Sequence, residues 1–234
     1  MEINPIFLKT LDKAASAIEK ADEIALTVRW FYVDGNAKET YEQAMKLEEQ
    51  VEKLVLLTRA LPAYTGAPEA HDRVEKIIAQ IIPVEIGFTK EGWFAVSLPM
   101  LLPKKSSGSA DYIRSFLYPA MRRFFLNKPP VRYRDCVLIY RHVYDKKRPE
   151  RQMRDHDNIE INMVSDTIAM YVMPDDGPSN CAHYYVSAAG NDERTEVYVV
   201  PKSEFPLWLA KEQSIPQEGV KLYENRREMW KKDM

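Results

Sequence analysis

The sequence predicts an α+β fold, an N-terminal helical hairpin followed by a mixed β-sheet domain with packed helices. Three observations carry this. Apolar residues recur at three- and four-residue spacing through residues 5–61. From residue 84 the order reads strand, strand, helix, strand, helix, strand, strand, and the hairpins at each end exclude a uniform doubly wound sheet. The chain has eight glycines, none spaced as GxGxxG or GxxxxGK[ST], so no Gly-rich phosphate loop is present.

The elements follow in order. Phe7, Leu8, Leu11, Ala14, Ala15, Ile18, Ala21 and Ile24 form one helical face, and Asp34–Asn36 stops it. Tyr41, Ala44, Met45, Leu47, Val51, Leu54, Val55 and Leu57 form the next, and the short connection implies an αα-hairpin. Leu61–Pro68, with two prolines and a glycine, is the best boundary in the chain. Residues 1–66 are thus the hairpin, 67–212 the α+β domain and 213–234 a charged tail. A third helix spans about Glu69 to Ile82. "VEIGFT" and "WFAVSLPML" form a β-hairpin, and "DYIRSFLYPAMRRFFLN" is an amphipathic helix that Pro119 should kink. Pro129–Pro130 ends it. "VRYRDCVLIYRHVYD" is the clearest strand. The run from about 158 to 173 has helical period and would be about 24 Å long. "CAHYYVSAAG" and "TEVYVVP" are strands joined by a polar turn, and "SEFPLWLAKEQ" is a short helix.

Composition narrows the function classes. The formal charge of −2 excludes a chain that binds nucleic acid by overall charge, so any basic surface is local. Cys136 and Cys181 are the two cysteines, both in strand-like runs, and buried free thiols are expected. Without CxxC, a zinc site built on cysteine pairs has no support. The first residues lack a signal-peptide pattern, and no apolar run of eighteen residues offers a membrane span. A cytoplasmic location is expected.

Two acid clusters stand out: Asp155 and Asp157 in "RDHDN", and Asp175 and Asp176 in "PDDGPSN". One reading is local. Asp157 or Asn158 caps the following helix, and the second pair belongs to a turn. The other brings the clusters together as a divalent-metal site, since Mg²⁺ takes few carboxylates and keeps its waters. A straight helix of sixteen residues would hold them apart, so this needs a short or bent helix, a strand returning along it, or a second copy of the chain.

From about residue 84 to 200 the chain resembles the RusA-type Holliday junction resolvases. The resemblance rests on the strand "CVLIYRHV", the basic loop "DKKRPERQMR", the D-x-D-N motif "DHDN", the stretch "SDTIAMYVMPDD" and the strand "TEVYVV". It covers about half the chain, and the distance from the first motif acid to the second acid of the DD pair matches without a gap. The whole chain also resembles an uncharacterised family carried on bacterial mobile elements. The resemblance implies a homodimer that cuts branched DNA with Mg²⁺, or Mn²⁺ in its stead. It puts Asp155, Asp157 and Asp176 on the metal as catalytic residues, with Asp175 as a neighbour and Asp166 near the family's mid-helix acid. One position departs: Ile161 stands where the family carries a lysine that assists phosphate chemistry.

Lys146, Lys147, Arg148, Arg151 and Arg154 form a basic loop beside the acids, suited to DNA phosphates, and Lys104 and Lys105 make a weaker second claim. His156 is expected to point away from its flanking acids, and His142 and His183 to be structural. The expected activity is therefore structure-selective, metal-dependent phosphodiester hydrolysis. The alternative is a non-catalytic DNA- or protein-binding accessory factor on the same fold. A third reading is a structural protein whose acids only cap and turn.

Overall fold

The computed structural model of the chain describes residues 4–129, 131–148 and 153–225. It has the α+β architecture expected, in two compact units: Met1–Ile77 with Ser106–Tyr112, and Ile78–Lys105 with Ile113–Met234.

The first unit is built on helices α1 (Pro5–Val33) and α2 (Ala37–Ala60). Asn4 caps α1, accepting the Ile6 N–H at 3.0 Å, while its amide donates to the Tyr64 carbonyl at 3.0 Å. Pro5, at the first helical position, gives up no needed hydrogen bond. Gly35, at φ 76°, turns the chain into Asn36, which caps α2 by accepting the Glu39 N–H at 3.2 Å. The two helices pack on one another along Ala14 and Ala17, where small side chains let the backbones approach. Leu26, Trp30, Tyr32 and Val33 remain exposed.

The second unit holds a five-stranded sheet: β1 (Glu85–Phe88), β2 (Phe94–Leu98), β3 (Cys136–Asp145), β4 (Cys181–Gly190) and β5 (Arg194–Pro201). Helices α3 (Ala70–Ile81) and α4 (Ser109–Phe125) precede β1 and β3 in the chain. Helix α5 (Asn162–Val172) connects β3 to β4, and α6 (Phe205–Glu212) follows β5. The spatial order is β1-β2-β5-β3-β4, antiparallel throughout except for the parallel pair β3–β4. The register aligns Leu138 with Val199 and His183, and Tyr140 with Val197 and Tyr185. These residues share one face, because side chains alternate along a strand. That face meets the buried residues of α4 and α5, among them Leu117, Met121, Val164 and Ile168. On the other, Trp93, Ala95, Val137, Ile139, Tyr198 and Val200 pack around Trp208 of α6.

Helix α4 runs from Ser109 to Phe125 with Pro119 inside it, as the sequence predicts. One local expectation is corrected. The second helix is shorter than its periodicity suggests. It starts at Asn162 rather than near 158, and at eleven residues is about 16 Å long. Residues 158–160 are held instead in extended pairing with residues 103–105. Lys105 N–H donates to Asn158 O, and Glu160 N–H donates to Pro103 O, both at 2.9 Å. Those bonds compete with the helix for the same backbone groups. Neither Asp157 nor Asn158 therefore caps α5. Ile161 occupies that position without a side-chain cap, and Glu160 Oε1 accepts the Met163 N–H at 3.5 Å.

Candidate functional site

The β3–α5–β4 crossover carries the candidate acids. Asp155 has extended backbone, φ −67° and ψ 135°, and leads into a 3-10 turn at His156–Asn158. The turn closes when Asn158 N–H donates to Asp155 O at 3.1 Å, leaving the Asp155 and Asp157 side chains exposed. Asp175 and Asp176 lie in the segment between α5 and β4. An Asp175 carboxylate oxygen folds over Gly177 so closely that a Cβ there would sit 2.6 Å from it. Asp175 is thus turned toward its own loop.

Asp176 points elsewhere. It acts on Asp166 of α5, which brings the second acid cluster toward the helix. Burial pushes the Asp166 carboxyl above its ordinary value, and the neighbouring Asp176 carboxyl adds to this, with Glu160 contributing from just before α5. Two neighbouring carboxyls resist double ionisation, and a divalent cation relieves that repulsion. Oxygen donors of this kind suit Mg²⁺ and Mn²⁺. Among the described residues, no three of His, Cys, Asp and Glu are grouped closely enough to hold a metal ion.

The two acid motifs open onto the same face of edge strand β4. His156 Nε2 lies 3.0 Å from Ser187 Oγ, and its ring is 5.8 Å from that of Tyr185. Asp176 acts on His183, whose ring is 6.2 Å from Tyr185 on the other side. His183 and Ser187 are four residues apart, about 13 Å at a strand's rise. The row His183, Tyr185, His156 therefore links the motifs without merging them. His156 is turned toward Ser187 and Tyr185 of β4. His142 is fully buried, with its Nδ1 3.4 Å from Thr195 Oγ1, its Nε2 without a protein partner, and its ring facing His156 at 5.6 Å. Burial first, then the charges of His156 and Arg154, lower the His142 pKa to about 4.

The basic residues divide. The extended pairing of residues 103–105 with 158–160 brings Lys104 and Lys105 beside the D-x-D-N turn. Arg154 anchors that arrangement, its guanidinium donating to the Leu102 carbonyl and its N–H to Tyr144 Oη at 3.2 Å. In the loop after β3, Arg148 pairs with Glu193 at 2.8 Å and lies over the Tyr144 ring. Lys146 donates to Asn191 at 3.0 Å, and the Lys147 N–H donates to Asp145 at 2.7 Å. Lys146 and Lys147 have exposed side chains. Arg151 lies outside the described residues. Ile161 is buried, and its carbonyl accepts from the Tyr140 hydroxyl at 3.2 Å, so this position supplies helix-start packing where the resembling enzymes keep a cation.

Sequence reasoning placed Asp166 near a family position but did not pair it with Asp176. An i to i+10 separation across a helix end carries no periodic signal that would have found the pair. The Tyr185–His183–Ser187 row was available from the two-residue alternation of β4. No helix among the described residues is long and apolar enough to cross a membrane. No curated protein and no solved structure matches the chain. A family model matches residues 3–226, and the chain belongs to that family, a family of unknown function (DUF6100).

Proposed function

We propose that this protein is a divalent-metal-dependent, structure-selective DNA endonuclease, acting as a homodimer on branched DNA in the cytoplasm. The observation that supports this best is the pairing of Asp166 with Asp176, an acid pair that burial and mutual repulsion prime for a cation. Asp155 and Asp157 stand at the other end of the same strand face, and a second copy of the chain is one source of the remaining ligands. The chemistry such a cation supplies is activation of water and neutralisation of charge at the phosphorus. Lys104, Lys105, Lys146 and Lys147 hold the flanking phosphates, while Arg154 positions the Lys104–Lys105 loop.

The experiment is a labelled four-way junction incubated with wild type, Asp157→Asn and Asp176→Asn in Mg²⁺ and in Mn²⁺. Metal-dependent cuts at paired positions, reduced at least a hundredfold in both variants, are expected. Tight junction binding with no cuts in either metal refutes the enzyme. That outcome favours the second reading, a DNA-binding accessory protein of a mobile element, for which buried Ile161 is the specific support.

A further inference from the structure

Cys136 opens β3 and Cys181 opens β4, and the parallel register makes them lateral neighbours. They are the two cysteines of the chain. Adjacent strands lie about 4.8 Å apart. That falls within the roughly 4.4–6.8 Å between Cα atoms that a disulfide spans. Neighbours in a ladder project to the same face, and each thiol perturbs the acidity of the other. Both are free and buried. Their surroundings differ. Cys136 Sγ lies 3.8 Å from Met173 Sδ and 3.6 Å from Asn180 O, neither of which stabilises a thiolate. Cys181 Sγ lies 3.4 Å from the Ala182 carbonyl, but it also faces His183, two residues further along the same face, which favours its thiolate. The sheet order puts Cys181 on the open edge of the sheet, beside exposed Ala182 and His183.

We propose that Cys136 and Cys181 are a reversible redox couple, with Cys181 the attacking sulfur and Cys136 the resolving one, closing a disulfide between β3 and β4 when a hydroperoxide reaches the edge strand. The Cys181 thiolate attacks the peroxide oxygen; the S–O bond forms, the O–O bond breaks, and the leaving oxygen takes a proton to depart as water or an alcohol. Cys136 sulfur then attacks the sulfenic sulfur of Cys181. The S–S bond forms, the S–O bond breaks, and the Cys136 proton leaves with the hydroxyl as water. Two electrons pass from the sulfurs to the peroxide, and an external dithiol returns them. The direction of attack agrees with the surroundings: the neighbouring Cys136 and His183 hold the Cys181 thiol below its ordinary value against its burial, while Cys181 and burial push Cys136 up. This couple is independent of the endonuclease reading.

The test uses the full reduced chain, exposed to graded hydrogen peroxide and then alkylated with iodoacetamide in denaturant. Expected is the loss of both alkylatable thiols, a linked peptide pair containing Cys136 and Cys181, unchanged monomer mobility on a non-reducing gel, and full recovery with dithiothreitol. Cys136→Ser stops at a sulfenic acid on Cys181, trapped by dimedone. Cys181→Ser leaves Cys136 reduced at the same peroxide level. The proposal is overturned if wild-type Cys136 and Cys181 stay alkylatable, if either overoxidises without a linked pair, or if linkage occurs only between chains. The wild-type measurement decides even if a variant fails to fold.

Discussion

Removing the Glu196 carboxylate should cost the sheet domain about 3–5 kcal/mol, the penalty for stranding a buried ionic partner. Glu196 sits in β5 on the α6 face of the sheet, with its side chain 4 % exposed. It accepts from Arg141 at 2.9 Å, from Arg194 at 2.7 Å and from the Tyr198 hydroxyl at 2.7 Å. Arg141 Nε and Arg194 Nη2 already have no partner. Glu196→Leu therefore leaves two buried guanidiniums facing each other, plus a tyrosine hydroxyl without its acceptor, which places the cost at the upper end of that range. In the native chain burial first and the Glu196 charge second hold Tyr198 well above its ordinary value, so its hydroxyl is a donor to Glu196. Urea unfolding of the full chain measures the effect as a lower midpoint at unchanged slope. The triple change Arg141→Met, Glu196→Leu, Arg194→Met removes every stranded charge and should recover most of the loss. A shift below about 1 kcal/mol for Glu196→Leu, or a triple variant as unstable as the single one, refutes the reasoning.

Two further outcomes follow from the site. Burial lowers folded His142 to about 4, below the unfolded value near 6.5. As pH falls the unfolded chain takes the proton first, so this stability is fully present above pH about 6.5 and is lost progressively down to about 4. The amount is roughly 3 kcal/mol at about 1.4 kcal/mol per unit. His142→Asn should flatten the loss of stability over that window in urea titrations at stepped pH, and an unchanged profile rejects the assignment. Lys104→Ala with Lys105→Ala should weaken junction binding at low salt and reduce the log–log salt slope by about 1.8, at roughly 0.9 per phosphate contact. An unchanged slope in fluorescence anisotropy shows that these lysines do not touch phosphate.

The element order and type were legible because each segment repeats its own period: three to four in α1 and α2, two in β4, and in β3 a largely apolar run interrupted by Arg141 and His142 and covered on both faces. What the sequence concealed was competition. The apolar spacing from Ile159 onward reads as helix, yet the backbone of 158–160 is claimed by Pro103 and Lys105, more than fifty residues earlier. Local periodicity contains no term for a partner at that distance. The site shows the same limit. Asp155, Asp157, Asp175 and Asp176 were visible as acids, but which of them meets another group depends on where α5 starts and where its following turn folds. Asp175 turned onto Gly177 and Asp176 onto Asp166. The Arg141–Glu196–Arg194 network was equally hidden, since isolated charges in apolar strands carry no sign that they will align across β3 and β5.

The late start of α5 has a consequence for how the site can work. Had the helix begun at 158, about 24 Å would separate Asp155 from the acids beyond its end. Starting at Asn162, it spans only about 16 Å, and the freed residues 158–160 hold the Lys104–Lys105 loop by backbone bonds. Shortening the helix and recruiting the lysines are thus one structural event. Backbone bonds, unlike side-chain contacts, survive most substitutions at 104 and 105, so those lysines can be exchanged without moving the D-x-D-N turn. Arg154 differs, because its guanidinium itself bonds the Leu102 carbonyl. Its loss would move the lysines and the motif together, which makes Arg154 a positioning residue rather than a simple phosphate contact.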